Sequence, residues 1–422
     1  MKYIYIFITS IILLACNSTE YNNKNCSIEK QKSFVYSYMQ DNYLWNKALP
    51  QVDIQAYDSA QTLLEALKMP WDKWSFIVSK EALDAYYSGL GYVGLGFKLK
   101  YFNNKLYIAL VYPNSPAARA HLKRGDKIIA INNHTVANKD YAYINSLLGY
   151  DQEGVEVTLL VEDQNGTQRD LRLYKEQVHT PSVLKSQIFT LDGEKIGYIL
   201  FDSFINNSSL ELQEAFRKFK QNGIKKIIID LRYNGGGLVE AANDFVSLLI
   251  GQNYSNEVSF RLLFNEENSY KNRNYYIRHL SNSMALDDIY FLTTKRTCSA
   301  SEALINALKP YNVNTHIIGS KTCGKPVGMI GKEFCDFYLM PIEFKITNAN
   351  KEGDYFNGLD VECQAYDDVR YDFATANETM FQEALSLIKN GVCSRTKNAK
   401  VIQSLSKEPK LEALRELNGG AF

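Results

Sequence analysis

The chain has 422 residues, of which 45% are apolar, and it carries 47 basic and 47 acidic residues. This length and apolar content are sufficient for two or three domains with buried cores. Because the net charge is zero, the composition gives no electrostatic reason to expect a nucleic-acid partner, and that class of function is set aside.

The first 16 residues resemble an export signal. An apolar run extends from Ile4 and ends in Leu13-Leu14-Ala15-Cys16. The run is shorter than the roughly 20 residues that cross a bilayer, and small residues at its end are typical of a secretory signal. Cys16 at the cleavage site resembles the bacterial lipoprotein box, in which this cysteine becomes the lipidated first residue. A chance cysteine at this position is the alternative.

These features predict a location for the whole protein. Residues 1–16 would be a lipoprotein signal peptide and residues 17–27, rich in Asn and Ser, a flexible tether. The remainder has no further run long enough to cross a bilayer, so it is predicted to be soluble and exported. We therefore expect a cell-envelope protein that faces the periplasm or the cell exterior and contacts the membrane only through its N-terminal lipid.

Residues 28–88 are predicted to form a small helical N-terminal region. Helical spacing covers Ile28 to Trp45 and Tyr57 to Leu67, and the stretch from Met69 to Phe76 follows. The sequence assigns no chemistry to this region.

From residue 89 to residue 177 the pattern changes to short strands with two helices. Gly94-Leu95-Gly96-Phe97 precedes Ser115-Pro116-Ala117-Ala118 and Leu122-Lys123-Arg124-Gly125-Asp126. These phrases, in this order, closely resemble a PDZ domain. The resemblance implies that a peptide adds as a strand and that Gly94, Leu95, Gly96 and Phe97 hold its carboxylate. A dinucleotide-binding loop is dismissed because a strand, and not a helix, follows.

Residues 178–395 alternate between strands and helices, which predicts a β/α layered domain. The expected strands are Lys195 to Phe201, Lys225 to Leu231, Ile289 to Thr293, Thr315 to Ile318 and Phe337 to Ile346. The expected helices are Leu210 to Gln221, Leu238 to Ile250 and Ser299 to Leu308. Residues 396–422 are predicted to be a peripheral helix or partly disordered.

The first candidate catalytic residue is Ser299. It lies where the predicted strand before Thr294 turns into the helix that starts at Ser299. The first N–H groups of a helix have no intrahelical partner, so the N–H of Ala300 is available to an oxyanion formed beside Ser299. Serine needs a base, and Lys325 in a Gly-Lys-Pro turn is the candidate, provided that an apolar pocket keeps it neutral. Alternatively, Ser299 and Glu302 are only a capping box.

The second candidate element is a glycine loop, Leu231-Arg232-Tyr233-Asn234-Gly235-Gly236-Gly237, between a strand and a helix. Three glycines let the backbone approach a ligand closely and turn its N–H groups toward an anion. The alternative is a tight strand-to-helix turn without chemistry.

The motifs Asp-Leu-Arg-Tyr-Asn-Gly-Gly-Gly, Ser-Ala-Ser-Glu and Thr-Cys-Gly-Lys, in this order and spacing, resemble the carboxyl-terminal processing (tail-specific) serine peptidases. The resemblance covers about Tyr43 to Asp360. It implies a ClpP/crotonase-like core with a Ser–Lys dyad. It makes Ser299 the nucleophile and Lys325 the base, with the N–H groups of Gly236 and Ala300 as the oxyanion hole and Gly235 as a substitute for Gly236.

The chain departs from that family at one functional position. Family members often have a glutamine four residues after the lysine, which orients it, and this chain has Met329 there. Methionine cannot donate a hydrogen bond to an amine. The sequence therefore leaves open whether another group holds Lys325.

These observations predict an α/β and α+β multidomain serine endopeptidase of the cell envelope. It would cleave unfolded or tail-exposed proteins, capture free C-termini with its PDZ domain, and use no cofactor and no metal. A catalytically silent PDZ scaffold that binds C-termini is the alternative that Met329 suggests. A small-ligand carrier is less favoured, because a carrier has no need of the Ser–Lys spacing.

Six cysteines besides Cys16 allow 15 disulfide connectivities, and the sequence does not choose among them. Cys298 lies one residue before Ser299, and Cys323 lies two residues before Lys325. If the two members of the dyad meet, these cysteines should lie close together as a bridge or as two packed thiols. Cys298 is rejected as the nucleophile, because its side chain would point away from the lysine.

Overall fold

The computed structural model describes residues 26–394. The predicted signal peptide with Cys16, residues 17–25 of the tether and the tail 396–422 lie outside this range. Within it, no helix is both long and apolar enough to cross a membrane.

The N-terminal region is helical, as predicted, and is packed against the C-terminal domain. Its elements are α1 (Ile28–Asn42), α2 (Ala60–Leu67), β1 (Phe76–Ser79) and α3 (Lys80–Ser88). Ser27 caps α1 and Ser59 caps α2, each accepting an N–H bond from its helix. Buried residues of α1 and α2 share one apolar cluster with Val327 and Leu339. The region is therefore part of the structure around the predicted lysine turn.

The PDZ-like domain follows. Its elements are β2 (Tyr92–Gly94), β3 (Phe97–Phe102), β4 (Lys105–Val111), α4 (Pro116–Arg119), β5 (Lys127–Ile131), β6 (His134–Thr135), α5 (Tyr141–Leu148), β7 (Glu156–Glu162), β8 (Gln168–Tyr174) and β9 (Glu176–Val178). The main sheet has the order β3-β4-β5-β7-β8, with β6 paired to β5. Strand β3 is therefore an edge strand, the position at which a peptide strand can add.

The C-terminal domain contains the remaining elements. They are β10 (Val183–Leu191), β11 (Glu194–Phe201), α6 (Ser208–Gln221), β12 (Lys226–Asp230), α7 (Val239–Tyr254), β13 (Val258–Phe264), β14 (Arg273–Tyr276), β15 (Asp288–Thr293), α8 (Ala300–Leu308), β16 (Asn314–Gly319), β17 (Val327–Met329), β18 (Lys332–Phe334), β19 (Phe337–Met340), β20 (Ile342–Asn348), β21 (Cys363–Gln364) and α9 (Thr379–Asn390).

A six-stranded sheet, ordered β10-β11-β12-β15-β16-β21, forms the centre of this domain. All pairs except β10 with β11 are parallel, so the strands from β11 onward end at the same edge. Alternate residues of β12 face opposite sides: Ile227 and Ile229 pack under α6, α7 and α8, whereas Ile228 packs with α9 and with Tyr112 of the PDZ-like domain. The predicted layered β/α fold is confirmed.

One predicted strand is wrong in its extent. The run from Phe337 to Ile346 was expected to be continuous, but it breaks at Pro341 into β19 and β20, which belong to different sheets. Proline lacks an N–H donor and fixes φ, so the chain turns there between two ladders. Strand β19 pairs with β1 of the N-terminal region, and β20 pairs with β17 directly after Lys325. Strands β10 and β13 were not predicted.

Candidate active site

Ser299 lies immediately before α8, at the carboxyl edge of the parallel sheet, as the sequence predicts. Its backbone has φ 55° and ψ −114°, a conformation that non-glycine residues rarely adopt and that costs about 1–3 kcal/mol. The turn is fixed by the N–H of Cys298, which donates to the Asn234 carbonyl at 3.1 Å, and by the N–H of Ala303, which donates to the Ser299 carbonyl at 2.8 Å. The serine is thus held on a sharp turn between strand and helix.

Glu302 connects the two halves of the predicted dyad. Its carboxylate accepts the N–H of Ser299 at 3.0 Å and the N–H of Lys325 at 2.8 Å. It also accepts the Gly324 N–H at 2.8 Å and the Thr322 hydroxyl at 2.5 Å. Glu302 is fully buried, and its desolvation raises the pKa of the carboxyl, although the hydrogen bonds oppose that shift. The expected capping box is present, and the same residue also holds the lysine turn.

A disulfide joins the same two segments. Cys298 and Cys323 are bridged, with 5.2 Å between their Cα atoms. Of the two alternatives for this pair, the structure therefore selects the bridge, and Cys298 has no free thiol. The other cysteines in the described range pair as Cys26 with Cys335 and Cys363 with Cys393.

Lys325 has the electrostatic property expected of a base. Desolvation by its surroundings lowers the pKa of its amine from 10.5 to about 8, although the negative charges of Asp72 and Glu302 oppose that shift. A substantial fraction of the amine is therefore neutral in mildly alkaline solution. Asp72 belongs to the N-terminal region, to which the sequence assigned no chemistry.

The glycine loop lies directly against Ser299. A Cβ on Gly236 would be 2.8 Å from the Ser299 Cβ and 3.0 Å from the Ala300 nitrogen, and its φ is 107°. Only glycine fits this approach. The Gly236 N–H donates to Asn234 Oδ1 at 2.9 Å. One of the two predicted oxyanion donors is thus engaged by a neighbouring side chain in this conformation.

A buried cluster of charged side chains includes Arg232 of the glycine loop. Arg232 is fully buried, and its guanidinium binds Asp230 at 2.7 Å, Asp367 at 2.8 Å and Glu378 at 2.9 Å. Arg124 of the PDZ-like domain binds the same Asp367 at 2.6 Å. Removing one partner from such a cluster leaves an unpaired buried charge. Sequence analysis missed this cluster, because its members come from four distant segments.

Comparison with known proteins identifies the architecture. The description "Peptidase family S41" matches residues 195–342, "Peptidase S41 N-terminal domain" matches residues 30–76, and "PDZ domain" matches residues 107–163. All three parts occur in the order that the structure gives them. The chain belongs to peptidase family S41.

Curated relatives support this assignment. A "Probable CtpA-like serine protease" of Staphylococcus aureus is 27% identical over 361 residues, which cover 85% of this chain and 67% of the relative. A protein of the same name from Staphylococcus saprophyticus is 27% identical over 320 residues, covering 76% of this chain and 60% of the relative. The S41 chain is therefore a serine peptidase, and its PDZ domain agrees with peptide or protein substrates.

Solved structures share its fold. A putative S41 protease from Bacteroides fragilis superposes with a TM-score of 0.73 at 22% identity, covering 85% of this chain and 97% of that chain. The photosystem II D1 C-terminal processing protease gives a TM-score of 0.52 at 19% identity, covering 81% and 93%.

A cavity of about 310 Å³ opens beside the glycine loop of the S41 peptidase. Gly237 and Leu238 line it on one side and Met329 on another. Leu262, Met340 and Phe344 add apolar surface, and the charged Asp84, Glu240 and Arg273 also line the cavity. Because Gly237 follows the glycine that approaches Ser299, this cavity adjoins the predicted nucleophile.

The predicted carboxylate loop of the PDZ domain has its own internal partners. The backbone of Gly96 interacts with the hydroxyl of Tyr92, and a Cβ on Gly94 would meet the Tyr92 ring at 2.3 Å. On β3, the N–H of Tyr101 donates to the hydroxyl of Tyr141 at 3.3 Å. Tyr92 and Tyr141 thus contact the backbone of the loop and of the strand that the sequence predicts to bind a peptide.

Two groups of cysteine and glutamate side chains have metal-like spacing. They are Cys298, Glu302 and Cys323, and Cys363, Glu383 and Cys393. In each group the two cysteines form a disulfide, so neither sulfur is a thiolate ligand.

Proposed function

We propose that this S41 peptidase is an endopeptidase in which Ser299 is the nucleophile and Lys325 is the general base. The observation that carries the proposal is the Glu302 carboxylate, which binds the backbone N–H groups of both residues and so fixes their segments side by side. The low pKa of Lys325, about 8, supports its role as a base near neutral pH.

In the proposed reaction, the neutral Lys325 amine accepts the proton of the Ser299 hydroxyl as the serine oxygen attacks a peptide carbonyl. The oxyanion then lies at the start of α8, where the Ala300 N–H is one donor. The second donor comes from the glycine loop. Since the Gly236 N–H is bound to Asn234 in this conformation, either substrate binding releases it or Gly235 provides the donor. The ammonium of Lys325 then protonates the leaving amine as the C–N bond breaks, which leaves the acyl group as an ester on Ser299. Water, deprotonated by the neutral Lys325 amine, attacks this ester, and the proton returns to the Ser299 oxygen as the new C-terminus departs.

The proposed substrates are unfolded or tail-exposed protein chains. The wall of the cavity beside the glycine loop includes Leu, Met and Phe side chains together with the charged Asp84, Glu240 and Arg273. Its apolar part favours an apolar substrate residue next to the scissile bond. Apolar residues become accessible in unfolded chains, whereas folded proteins bury them. The PDZ domain would assist by capturing free C-termini through Gly94, Leu95, Gly96 and Phe97.

We also propose that the protein acts in the cell envelope, anchored through a lipid on Cys16. The three disulfides within residues 26–394 support an oxidising compartment outside the cytosol. Labelling with a radioactive fatty acid should mark the wild type and not Cys16→Ala. Equal labelling of both would contradict the anchor.

The test of the catalytic proposal is cleavage of a reduced, denatured protein by the wild type and by Ser299→Ala and Lys325→Ala. Each substitution should lower the rate by more than about 10³-fold, and the double variant should be no worse than either, because nucleophile and base act as a unit. Lys321→Ala is the matched control, because Lys321 is an exposed lysine that pairs with Asp360. It should keep full activity.

Two outcomes would contradict the proposal. Full activity in either dyad variant would show that another residue performs the chemistry. A wild type that binds peptides without cutting any of them would favour the catalytically silent PDZ scaffold.

A further inference from the structure

The cavity beside the glycine loop is shared by two regions of the chain. Helix α3 of the N-terminal region contributes Leu83 and Tyr87 to its lining, and the peptidase domain contributes Gly237 and Met329. An apolar cavity of about 150 Å³ can hold a benzene molecule. The volume here is about 310 Å³, so the cavity has room for one large apolar side chain.

This cavity adjoins both segments of the proposed dyad. Gly237 follows Gly236, which approaches Ser299 so closely that a Cβ on Gly236 would be 2.8 Å from the serine Cβ. Met329 belongs to β17, the strand that begins two residues after Lys325. A peptide whose carbonyl group lies beside Ser299 can therefore place a neighbouring side chain in the cavity.

The buried part of the cavity lining is apolar. Leu262, Met340 and Phe344 are 0%, 4% and 3% exposed. Leu83 of α3 is also buried, and it packs in one apolar cluster with Met340 and Met329. An apolar substrate side chain that enters the cavity leaves water for apolar surroundings, which favours its binding.

The charged residues of the lining already have partners of opposite charge. Asp84 lies 3.6 Å from Lys80, and Glu240 lies 3.9 Å from Arg273. The side chains of Asp84, Glu240 and Arg273 are each more than half exposed, so water screens their charges. These charges therefore discriminate weakly between substrates, and the size and apolarity of the substrate side chain decide how well it binds.

Helix α3 is held against the peptidase domain near both of its ends. At its start, the N–H of Lys80 donates to the Asp336 carbonyl at 2.9 Å, and the Lys80 ammonium binds Glu333 at 2.8 Å. At its end, the Tyr87 carbonyl accepts the N–H of Asn206 at 3.1 Å. The wall that α3 forms is therefore in place before a substrate binds.

We propose that Leu83 and Met329 are specificity-determining residues, which shape the cavity for one large apolar substrate residue, Leu, Met or Phe, next to the scissile bond. This inference rests on the proposed function and specifies its substrates. Met329, which stands where the family often has a glutamine, contributes apolar surface to substrate binding. Through Leu83, the N-terminal region takes part in the choice of substrate.

The test uses two series of peptides, which vary the residue on one side or the other of the scissile bond among Ala, Leu, Phe and Asp. In one of the two series, kcat/KM of the full-length wild type should be about 10- to 100-fold higher for Leu or Phe than for Ala, because each additional buried methylene strengthens binding. The Asp peptide should be cleaved most slowly, because its carboxylate would lose water without gaining a partner.

Two variants change the cavity in different ways. Met329→Gln keeps the length of the side chain but introduces an amide, so the preference for Leu over Ala should fall about tenfold. Leu83→Phe places a ring in the cavity, so the preference for Phe over Ala should fall about tenfold. Leu210→Ala is the matched control, because Leu210 is an exposed leucine of α6 outside the cavity lining, and it should keep both preferences. Each preference is a ratio measured on one protein preparation, so a lower folded fraction does not change it.

A measurement without cleavage accompanies the kinetics. Calorimetry on Ser299→Ala protein should show that the Leu peptide binds about tenfold or more tightly than the Ala peptide, and that Met329→Gln reduces this difference. Equal values for Leu, Phe and Ala in the wild type would overturn the inference, and an unchanged preference in one cavity variant would overturn the role of its residue. Cleavage that survives in Ser299→Ala would instead contradict the proposed dyad, so the two failures are distinguishable.

Discussion

Lys325 can accept a proton from Ser299 only while its amine is neutral. Desolvation lowers its pKa from 10.5 to about 8, and the negative charges of Asp72 and Glu302 keep it from falling further. Below about pH 8 the ammonium form of Lys325 dominates, and this form cannot accept a proton. Above about pH 8 the neutral form dominates, and it can act as the base.

Peptidase activity should therefore rise with pH through a midpoint near 8, with a slope of one proton, and should level off at higher pH. The measurement is kcat/KM on a peptide without titratable groups, with circular dichroism to show that the protein stays folded. A rate that falls between pH 7 and pH 9 in folded protein would argue for another base.

The turn that carries Lys325 and the start of α8 are joined twice, once by Glu302 and once by the Cys298–Cys323 bridge. A disulfide stabilises a fold mainly by restricting the unfolded chain, typically by about 2–4 kcal/mol. The hydrogen bonds of Glu302 remain when the bridge is removed, so they should preserve part of the geometry.

The double variant Cys298→Ser, Cys323→Ser should consequently lose about 2–4 kcal/mol of stability in urea unfolding and keep reduced, measurable activity. The matched control is Cys363→Ser with Cys393→Ser, which removes a bridge between β21 and the end of α9, away from Ser299. It should lose comparable stability at unchanged kcat. Equal losses of kcat in both double variants would show that the bridge beside Ser299 has no special part in the site.

Residues from all three parts of the molecule act around the glycine loop and the lysine turn. The N-terminal region contributes Asp72, whose negative charge acts on Lys325, and the PDZ domain contributes Arg124 to the ion cluster that contains Arg232 of the glycine loop. The Tyr92 hydroxyl lies against the backbone of Gly96, in the loop that is proposed to hold a C-terminal carboxylate, so the proposed capture would compete with this hydroxyl.

Removing the Tyr92 hydroxyl should therefore strengthen the binding of a peptide acid. For one apolar-tailed peptide, the free acid should bind the wild type about tenfold or more better than the amide, since a charge-assisted hydrogen bond contributes roughly 1.5–3 kcal/mol. Tyr92→Phe should widen that ratio, measured by calorimetry on Ser299→Ala protein. Equal affinities of acid and amide in both proteins would show that the C-terminal carboxylate is not recognised.

The sequence alone was sufficient to predict the features that depend on residues close together in the chain. The strand-to-helix turn at Ser299, the glycine loop and the Gly-Lys-Pro turn are short local patterns, and the family resemblance gave their order. The alternation of strands and helices likewise predicted the layered domain, because each β/α unit has its own hydrophobic period.

Only the tertiary structure decided which distant groups meet. Asp72 and Lys325 belong to different regions of the chain, and their proximity follows from the break at Pro341, which places β19 against β1 and β20 against β17. The same holds for Arg124 and Arg232, which share Asp367. Charges act through space, with a strength set by distance and burial, and a linear pattern contains neither quantity.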